Sequence, residues 1–411
     1  MILQLKNLTE FNEILVEGVK QKNDGNLNLA ESYLFLAKSM NDSHWQPYYE
    51  ISKIYEIKKN YDVSFNFALE SLKRTNGDLL APIEKCLYLI LVMKNRKLLK
   101  RIYDHINIYD HQVSDCLKSY CEAYLYSKSY TPKTREKIYS RVVDKSLGWI
   151  ESGEVIHGIK DAILNNTPYC FIRLGDGEGT WLYSSIQFEM KFHTLGKRNR
   201  LEFWRIWFGE DIANFDNFRR IAHKIALQIN QADLLGIPPK SWINHEFEIC
   251  SLRGMPGTQN ILNLLDLQSI TKTKLCTQLM HSELSKSDDF LNLVKNLKEL
   301  YVISCHPGIK EFFQNFLGSQ RVHYIPIPGE PSRAHLHGNE VTKGVHFPDT
   351  YDSIVNTIQS SDWKGKICFV GAGILGKSYA LQIKQQGGIA IDLGSMMDKW
   401  MGKQTRNFGL I

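Results

Sequence analysis

From Tyr169 onward the chain alternates between two kinds of pattern, and this alternation limits its fold more than any other feature. Short β-rich apolar runs recur: CFIRLG (170–175), ADLLGIP (232–238), LYVISCH (300–306), HYIPIP (323–328), KICFVGAG (366–373) and IAIDLG (389–394). Between them lie stretches with helical spacing, at Asn217–Gln231, Asp288–Lys298, Ile309–Leu317, Tyr351–Gln359 and Leu375–Gln386. Strands separated by helices pair in parallel, because the crossover helix returns the chain to the same end of the sheet. The spacing therefore predicts an α/β fold, a mostly parallel Rossmann-like sheet with helices on both faces. Sheets of this kind bind ligands outside the carboxyl ends of their strands, which directs attention to the loop after each run.

The front of the chain has another character. Residues 10–127 hold almost no strand signals and few prolines, and apolar residues recur there at helical spacing. The stretch also repeats itself. Gly18, Gly25, Leu27, Ala30 and Ala37 stand 34 residues before Ser52, Lys59, Tyr61, Ser64 and Ser71. Small residues recur where two antiparallel helices must approach closely. With Tyr48, Ile51, Ser52 and Tyr55 ahead of Tyr61, Ser64 and Ser71, the stretch resembles the tetratricopeptide repeat, whose period is also 34. A decayed third unit is read over Ala81–His105. An irregular helical bundle is the competing reading. The segment Ser127–Thr134 has turn chemistry and a proline, and helical sequence resumes to about Asn165. The expected organisation is a helical-repeat domain over 1–130, a helical connector over 131–165 and an α/β domain over 166–411. Such a repeat region offers a surface for a protein partner or for self-association.

Composition rules out several classes. In a chain of 411 residues, 43% apolar and 23% charged residues describe folded domains, not disorder. The net charge is only +6, and the basic clusters Lys94–Arg101 and Lys197–Arg200 are short, so nucleic acid is not an expected partner. Eight scattered cysteines include no C-x-x-C pair and are read as reduced core residues. The N-terminus has no signal-peptide pattern, and apolar runs such as Leu87–Met93 are too short to cross a bilayer. The expected location is cytosolic, with peripheral contact at the inner face of the membrane left open.

Two segments after strand runs carry most of the chemistry. The first is Arg173-Leu-Gly175-Asp176-Gly177-Glu178-Gly179. Two carboxylates one residue apart suit a hard divalent ion that also grips a diphosphate, and Arg173 adds a bidentate phosphate contact. The same residues also fit a glycine-rich turn whose carboxylates cap the next helix. The second is Gly371-Ala-Gly373-Ile-Leu-Gly376-Lys377, between a strand and a helix, with Asp392 at the end of the next strand. This matches G-x-G-x-x-G followed by an acidic residue, but only about 35 residues remain after it, too few for the full dinucleotide unit. Its glycines can admit a phosphate or simply pack a strand on a helix. Softer signals are Cys305-His306-Pro307, Ile325–Arg333 with Glu330, and Asp398, Trp400 and Arg406 in the tail. Each also fits a cap, a core histidine or a solvated charge. His335-x-His337 has the form of a metal pair but lacks a third ligand in register.

Together these residues resemble the GT-D glycosyltransferases, whose D-x-E motif binds a metal and the diphosphate of a sugar nucleotide. The resemblance covers roughly 150–411: Arg173-x-Gly-Asp-Gly-Glu178, then IPIPGEPSRA, then GAGILGK, then a strand ending in Asp392-x-Gly394. The sequence departs from the family at Phe192–Leu195, with Trp204 and Trp207 nearby, and at Pro328–Ala334, where sugar and acceptor are chosen. The resemblance implies a metal-dependent glycosyltransferase moving a sugar from a nucleotide-diphosphate donor to a hydroxyl of a glycan or glycoprotein, with Mn2+ or Mg2+ at Asp176 and Glu178. Arg173, Gly175, Gly177, Gly371, Gly373 and Lys377 would hold the donor. Asp176, Glu178, Glu330 and Asp392 form the expected catalytic set, with His306 and Asp398 as further candidate bases. An NAD(P)-binding oxidoreductase using Gly371–Gly376 and a non-enzymatic interaction protein are the alternatives.

Overall fold

The computed structural model describes residues 2–75, 79–93, 95, 98, 115–183, 185–317, 321–337 and 341–403. Much of the proposed third repeat, most of the Lys94–Arg101 cluster and Arg406 lie outside the described residues. The chain divides into two compact units, Met1–Leu125 and Tyr126–Ile411.

The first unit is helical throughout its described residues. It runs α1 (Ile2–Asn23), α2 (Leu27–Met40), α3 (Trp45–Ile57), α4 (Tyr61–Arg74) and α5 (Leu80–Met93), and α6 (Asp115–Ser129) passes across the division. The 34-residue period is visible in its geometry. α2 and α4 begin 34 residues apart, after Asn26 and Asn60. Gly25 and Lys59, also 34 apart, both take the left-handed backbone that ends a helix. The small residues stand at the helix crossings. A Cβ on Gly18 would lie 2.9 Å from the Leu34 side chain. Buried Ser52 and Ser64 meet with their hydroxyls 3.1 Å apart, and the Ser64 hydroxyl also donates to the Ser52 carbonyl at 2.7 Å. Phe11, Leu15, Ala30, Leu34, Ala37, Ile51 and Ile54 form one small core, and Phe65, Leu69, Leu72, Ile83, Leu87 and Ile90 belong to the next.

The second unit opens with α7 (Pro132–Lys145) and α8 (Ser152–Leu164) and then builds one sheet. Its strands are β1 (Tyr169–Arg173), β2 (Leu234–Ile237), β3 (Lys274–Thr277), β4 (Leu300–Ser304), β5 (Val322–Pro326), β6 (Ile367–Val370) and β7 (Ile389–Asp392). They lie in the order β3-β2-β1-β7-β6-β4-β5, and every pairing is parallel. Alternate residues along the strands face opposite sides. Phe171, Leu234, Val302, Phe369 and Ile391 enter a core with Val155, Ile159, Phe290, Ile309, Phe313 and Met396. Their neighbours Cys170, Ile172, Leu235, Val370 and Ala390 are buried as well, on the side covered by the Leu375–Gln385 helix. With both faces covered, β1, β2, β4, β6 and β7 read as nearly continuous apolar runs, and this is why they stood out in the sequence; the edge strand β5, with His323 and Pro326 exposed, is marked only by Val322, Tyr324 and Ile325. The expectation missed β3. It has only two buried residues, Leu275 and Cys276, between the polar Lys274 and Thr277, so no apolar run marks it.

Between β1 and β2 the sequence reading had left most of the chain unassigned. That stretch holds α9 (Asp176–Leu182), α10 (Ile186–Lys191), α11 (His193–Phe208) and α12 (Phe215–Gln228). After β2 come α13 (Lys240–Glu248) and α14 (Gly254–Leu267); after β3, α15 (Met280–Leu284) and α16 (Asp288–Lys295). The rest are α17 (Ile309–Leu317), α18 (Ala334–His337), α19 (Tyr351–Ser360), α20 (Leu375–Gln385) and α21 (Met396–Trp400). Among the described residues, no helix is long and apolar enough to cross a membrane. The described cysteines are unbridged, and all but Cys250 are buried, as a reduced core requires.

Candidate functional site

The Arg173–Gly179 segment is a tight turn that runs straight into a helix, with one of its carboxylates at the helix start, as the capping alternative has it. β1 ends at Arg173, and Asp176 already begins α9. Glu178 occupies the third helical position, where its Oε2 accepts from the Gly175 N–H at 2.9 Å, the one half of a capping box that a glycine N-cap allows. The glycines serve close packing. A Cβ on Gly179 would fall 1.8 Å from the Gly257 carbonyl oxygen, so α9 and α14 cross almost backbone to backbone. A Cβ on Gly177 would strike the Trp207 ring at 2.6 Å.

On this helical turn the two carboxylates take different partners. Glu178 Oε1 lies 3.2 Å from Lys377 Nζ, and its side chain is 13% exposed. Asp176 Oδ2 lies 3.4 Å from Arg253 Nε, and its side chain is 39% exposed. Arg253 also holds Glu202 at 2.8 Å.

Beneath Glu178 runs a chain of alternating charges. Lys377 Nζ sits 2.7 Å from Asp392 Oδ2. Arg173 donates from Nε to the Asp392 carbonyl at 3.1 Å and from Nη2 to Asp392 Oδ1 at 3.3 Å. The Arg173 backbone N–H adds a bond to Asp392 Oδ2 at 3.1 Å. Burial pushes the Asp392 carboxyl up, but Arg173 and Lys377 outweigh it and hold the group down at about 2. Gly394 makes room for this arrangement. Its φ is +48°, and a Cβ there would lie 1.9 Å from Arg173 Nη2. The Arg173–Asp392–Lys377–Glu178 chain thus ties β1, β7, α20 and α9 together under the site.

Above it opens a cavity of about 610 Å3. Residues past the carboxyl ends of all seven strands line it, from Asp176 after β1 through Trp242, His281, Cys305, Glu330 and Gly371 to Asp398 after β7. Arg173, Gly175, Asp176, Gly177, Glu178, Glu330, Gly371, Gly373 and Lys377 all reach this cavity. Glu330 pairs with Arg333 at 3.0 Å. Asp392 is 2% exposed and lies behind the wall, tied to its two cations. His306 also stands behind the wall, with Nε2 2.8 Å from Asp398 Oδ1. Trp400 packs against the sheet core. Burial, reinforced by the Arg173 charge, drives the His281 imidazole well below its ordinary pKa, so it lines the cavity as a neutral group.

The sequence reading passed over Phe203, Trp242, Arg253 and Lys286, which complete the wall. Phe203 and Trp207 stack with ring centroids 5.1 Å apart. Trp242 follows the Pro238–Pro239 end of β2, so the strand-end rule would have pointed to it. Phe203 comes from α11 and Arg253 from the turn just before α14, with no strand signal beside either. The cavity wall carries five cationic side chains, Arg173, Arg253, Lys286, Arg333 and Lys377, against six carboxylates, Asp176, Glu178, Glu246, Glu283, Glu330 and Asp398.

No curated protein matches the chain. Among solved structures, a mutant of the Thermobaculum terrenum O-GlcNAc transferase matches at 8% identity, covering 93% of this chain and 73% of its own, with a TM-score of 0.25. That superposition is too loose to inform the fold or the site. The family profile of the GT-D fold-like domain matches residues 150–400, a span that contains the whole parallel sheet, the Arg173–Gly179 turn and the glycine loop after β6. The chain therefore belongs to the GT-D-like family of GT-D fold-like domains.

Proposed function

We propose that this chain is a metal-dependent glycosyltransferase that takes a sugar from a nucleotide-diphosphate donor and passes it to a hydroxyl of a glycan or glycoprotein in surface assembly. The observation that carries this reading is the shared cavity: the D-x-E turn after β1 and the glycine loop after β6 face one space of about 610 Å3, within the range of small-molecule sites. Its charge supports a metal. Five cations against six carboxylates leave no surplus to neutralise a diphosphate, and Mn2+ or Mg2+ would supply it. Asp176, the more exposed carboxylate, is assigned as the principal ligand; Glu178 joins it only by sharing itself with Lys377. When bound, the ion would offset charge growing on the departing diphosphate.

The chain's own groups do the rest. Lys286 reaches the cavity for phosphate oxygens, Arg253 would join it by sharing itself with Asp176 and Glu202, and Gly371 and Gly373 let the backbone come close to them. The Phe203–Trp207 pair and Trp242 offer flat apolar faces for a base or a sugar ring. Glu330 is assigned as the base toward the acceptor. Arg173, Lys377 and Asp392 act from below by fixing the ends of β1 and α20. This is also why the nicotinamide reading is not favoured, since Asp392, which that fingerprint needs at a ribose, is buried between two cations. Residues 1–130 are assigned as a separate interaction module and 131–165 as its connector, in a cytosolic enzyme.

A calorimetric screen of nucleotide sugars with Mn2+ or Mg2+ tests the class and the donor together. Asp176→Asn keeps the shape and removes the charge. Transfer should fall on the order of 100- to 1000-fold while the fold persists. A folded variant with undiminished transfer and unchanged metal dependence would remove Asp176 from the mechanism.

A further inference from the structure

A second group of potential ligands lies against the same cavity wall, and the D-x-E reading makes no use of it. Cys305 and His306 follow β4, His337 ends α18, and Asp398 belongs to α21. Cys305, His306 and His337 are buried, Asp398 is 13% exposed at its side chain, and their donor atoms lie within 4.8 Å of one another. They come from three segments far apart in sequence, so the His335-x-His337 spacing misled. His335 is exposed, and His337 finds its neighbours across the fold.

His337 points to a ligand. It is 3% exposed, and neither ring nitrogen has a hydrogen-bond partner among the described residues. Its Nδ1 stands 3.8 Å from Asp398 Oδ1, beyond hydrogen-bond reach, and its ring centroid is 5.4 Å from that of His306. A buried imidazole with two unsatisfied nitrogens is costly unless something binds them. Asp398 Oδ1 bonds His306 at 2.8 Å, and the His337 nitrogens stand beside that carboxylate and the Cys305 sulfur, a set of lone pairs that one cation would satisfy.

We propose that Cys305, His306, His337 and Asp398 form a buried Zn2+ site, separate from the donor's ion at Asp176. One sulfur, two imidazole nitrogens and one carboxylate oxygen make a four-ligand set of the kind Zn2+ takes, whereas Mg2+ and Mn2+ favour oxygen alone. On binding, Cys305 releases its thiol proton to solvent. The thiolate and the Asp398 carboxylate then balance the two positive charges, and no oxidation or reduction occurs. Tetrahedral ligands at zinc bond lengths stand roughly 3.4–3.8 Å apart, so the present spread closes by side-chain rotations of about an ångström. The site would clamp the ends of α18 and α21 to the end of β4. The segment leading into α18 carries Glu330 and Arg333, so the clamp would hold that wall of the cavity in place.

The test uses the full chain, stripped with a chelator and titrated with Co2+ as a spectroscopic probe, followed by Zn2+. We expect one Co2+ per chain to give a sulfur-to-cobalt charge-transfer band, displaced by Zn2+, whatever further Co2+ the Asp176 site takes without such a band. Cys305→Ser should abolish the band, and His337→Ala should weaken binding roughly tenfold or more. Asp176→Asn should leave the band intact, which separates this site from the D-x-E reading. His337→Gln, nearer in size, replaces His337→Ala if the latter fails to fold by circular dichroism. Cobalt uptake without a sulfur band, a band surviving in Cys305→Ser, or a wild-type chain that takes up no metal would each overturn the proposal.

Discussion

A charged residue in this site is defined by its partner more than by its type. Arg173, Lys377 and Asp392 each resemble ligand-binding groups in the sequence, yet in the fold they bind one another. Asp392→Asn would leave Arg173 and Lys377 buried without their shared counter-charge. Removing one partner from a buried ion network costs about 3–5 kcal/mol, so chemical denaturation at pH 7 should show a loss of that size. The pH dependence follows from the sign of the shift. Asp392 is held at about 2, below its ordinary 3.8, so its contribution is complete above about pH 4 and is lost as pH falls toward 2. The stability gap between wild type and Asp392→Asn should accordingly narrow between pH 4 and pH 2. A gap that stays constant across that interval would show that the carboxylate is not ionised in the folded chain.

At the scale of elements, the α9–α14 crossing fixes where Asp176 and Glu178 stand. The glycines at 175, 177 and 179 read in the sequence as a bendable loop. In the fold Gly179 and Gly257 let two helices touch, and Gly177 admits Trp207. Gly179→Ala should therefore force the helices apart and destabilise the chain by about 1–3 kcal/mol or more, read as a lower midpoint of thermal unfolding. Donor binding should weaken with it, because Asp176 moves with α9. Gly153→Ala is the matched control. It lies in α8 with nothing within 4 Å of the added Cβ, so it should be neutral or stabilise by up to about 1 kcal/mol. Equal losses from both substitutions would show that helix packing does not set the turn.

For the whole molecule, the boundary between the units has a measurable consequence. Tyr126, near the end of α6, is fully buried in the second unit. Its ring meets Phe192 at a centroid distance of 5.1 Å, and its hydroxyl donates to Asn260 at 3.1 Å. A chain trimmed to begin at residue 131, where the turn chemistry invites a cut, would lose this side chain and leave a cavity. It should be less stable than a chain beginning at residue 115 by about 3–5 kcal/mol, the usual cost of emptying a large aromatic site. Matching denaturation curves for the two fragments would show that Tyr126 is dispensable to the sheet unit.

By itself the sequence determined the class of the fold. Strands covered on both faces must be apolar along their whole length, and helices that cross closely must carry small residues at their contacts, so five strands and the 34-residue helical period left local marks. It also marked the strand ends from which most of the cavity is built. Only the tertiary structure decided which of those polar groups face the cavity. Asp392 and Glu330 look alike in sequence; one is sealed between Arg173 and Lys377, and the other lines the open wall. Cys305, His306, His337 and Asp398 converge from three distant segments. A partner's identity depends on long-range packing, and a local pattern carries no record of which residue another segment will bring alongside.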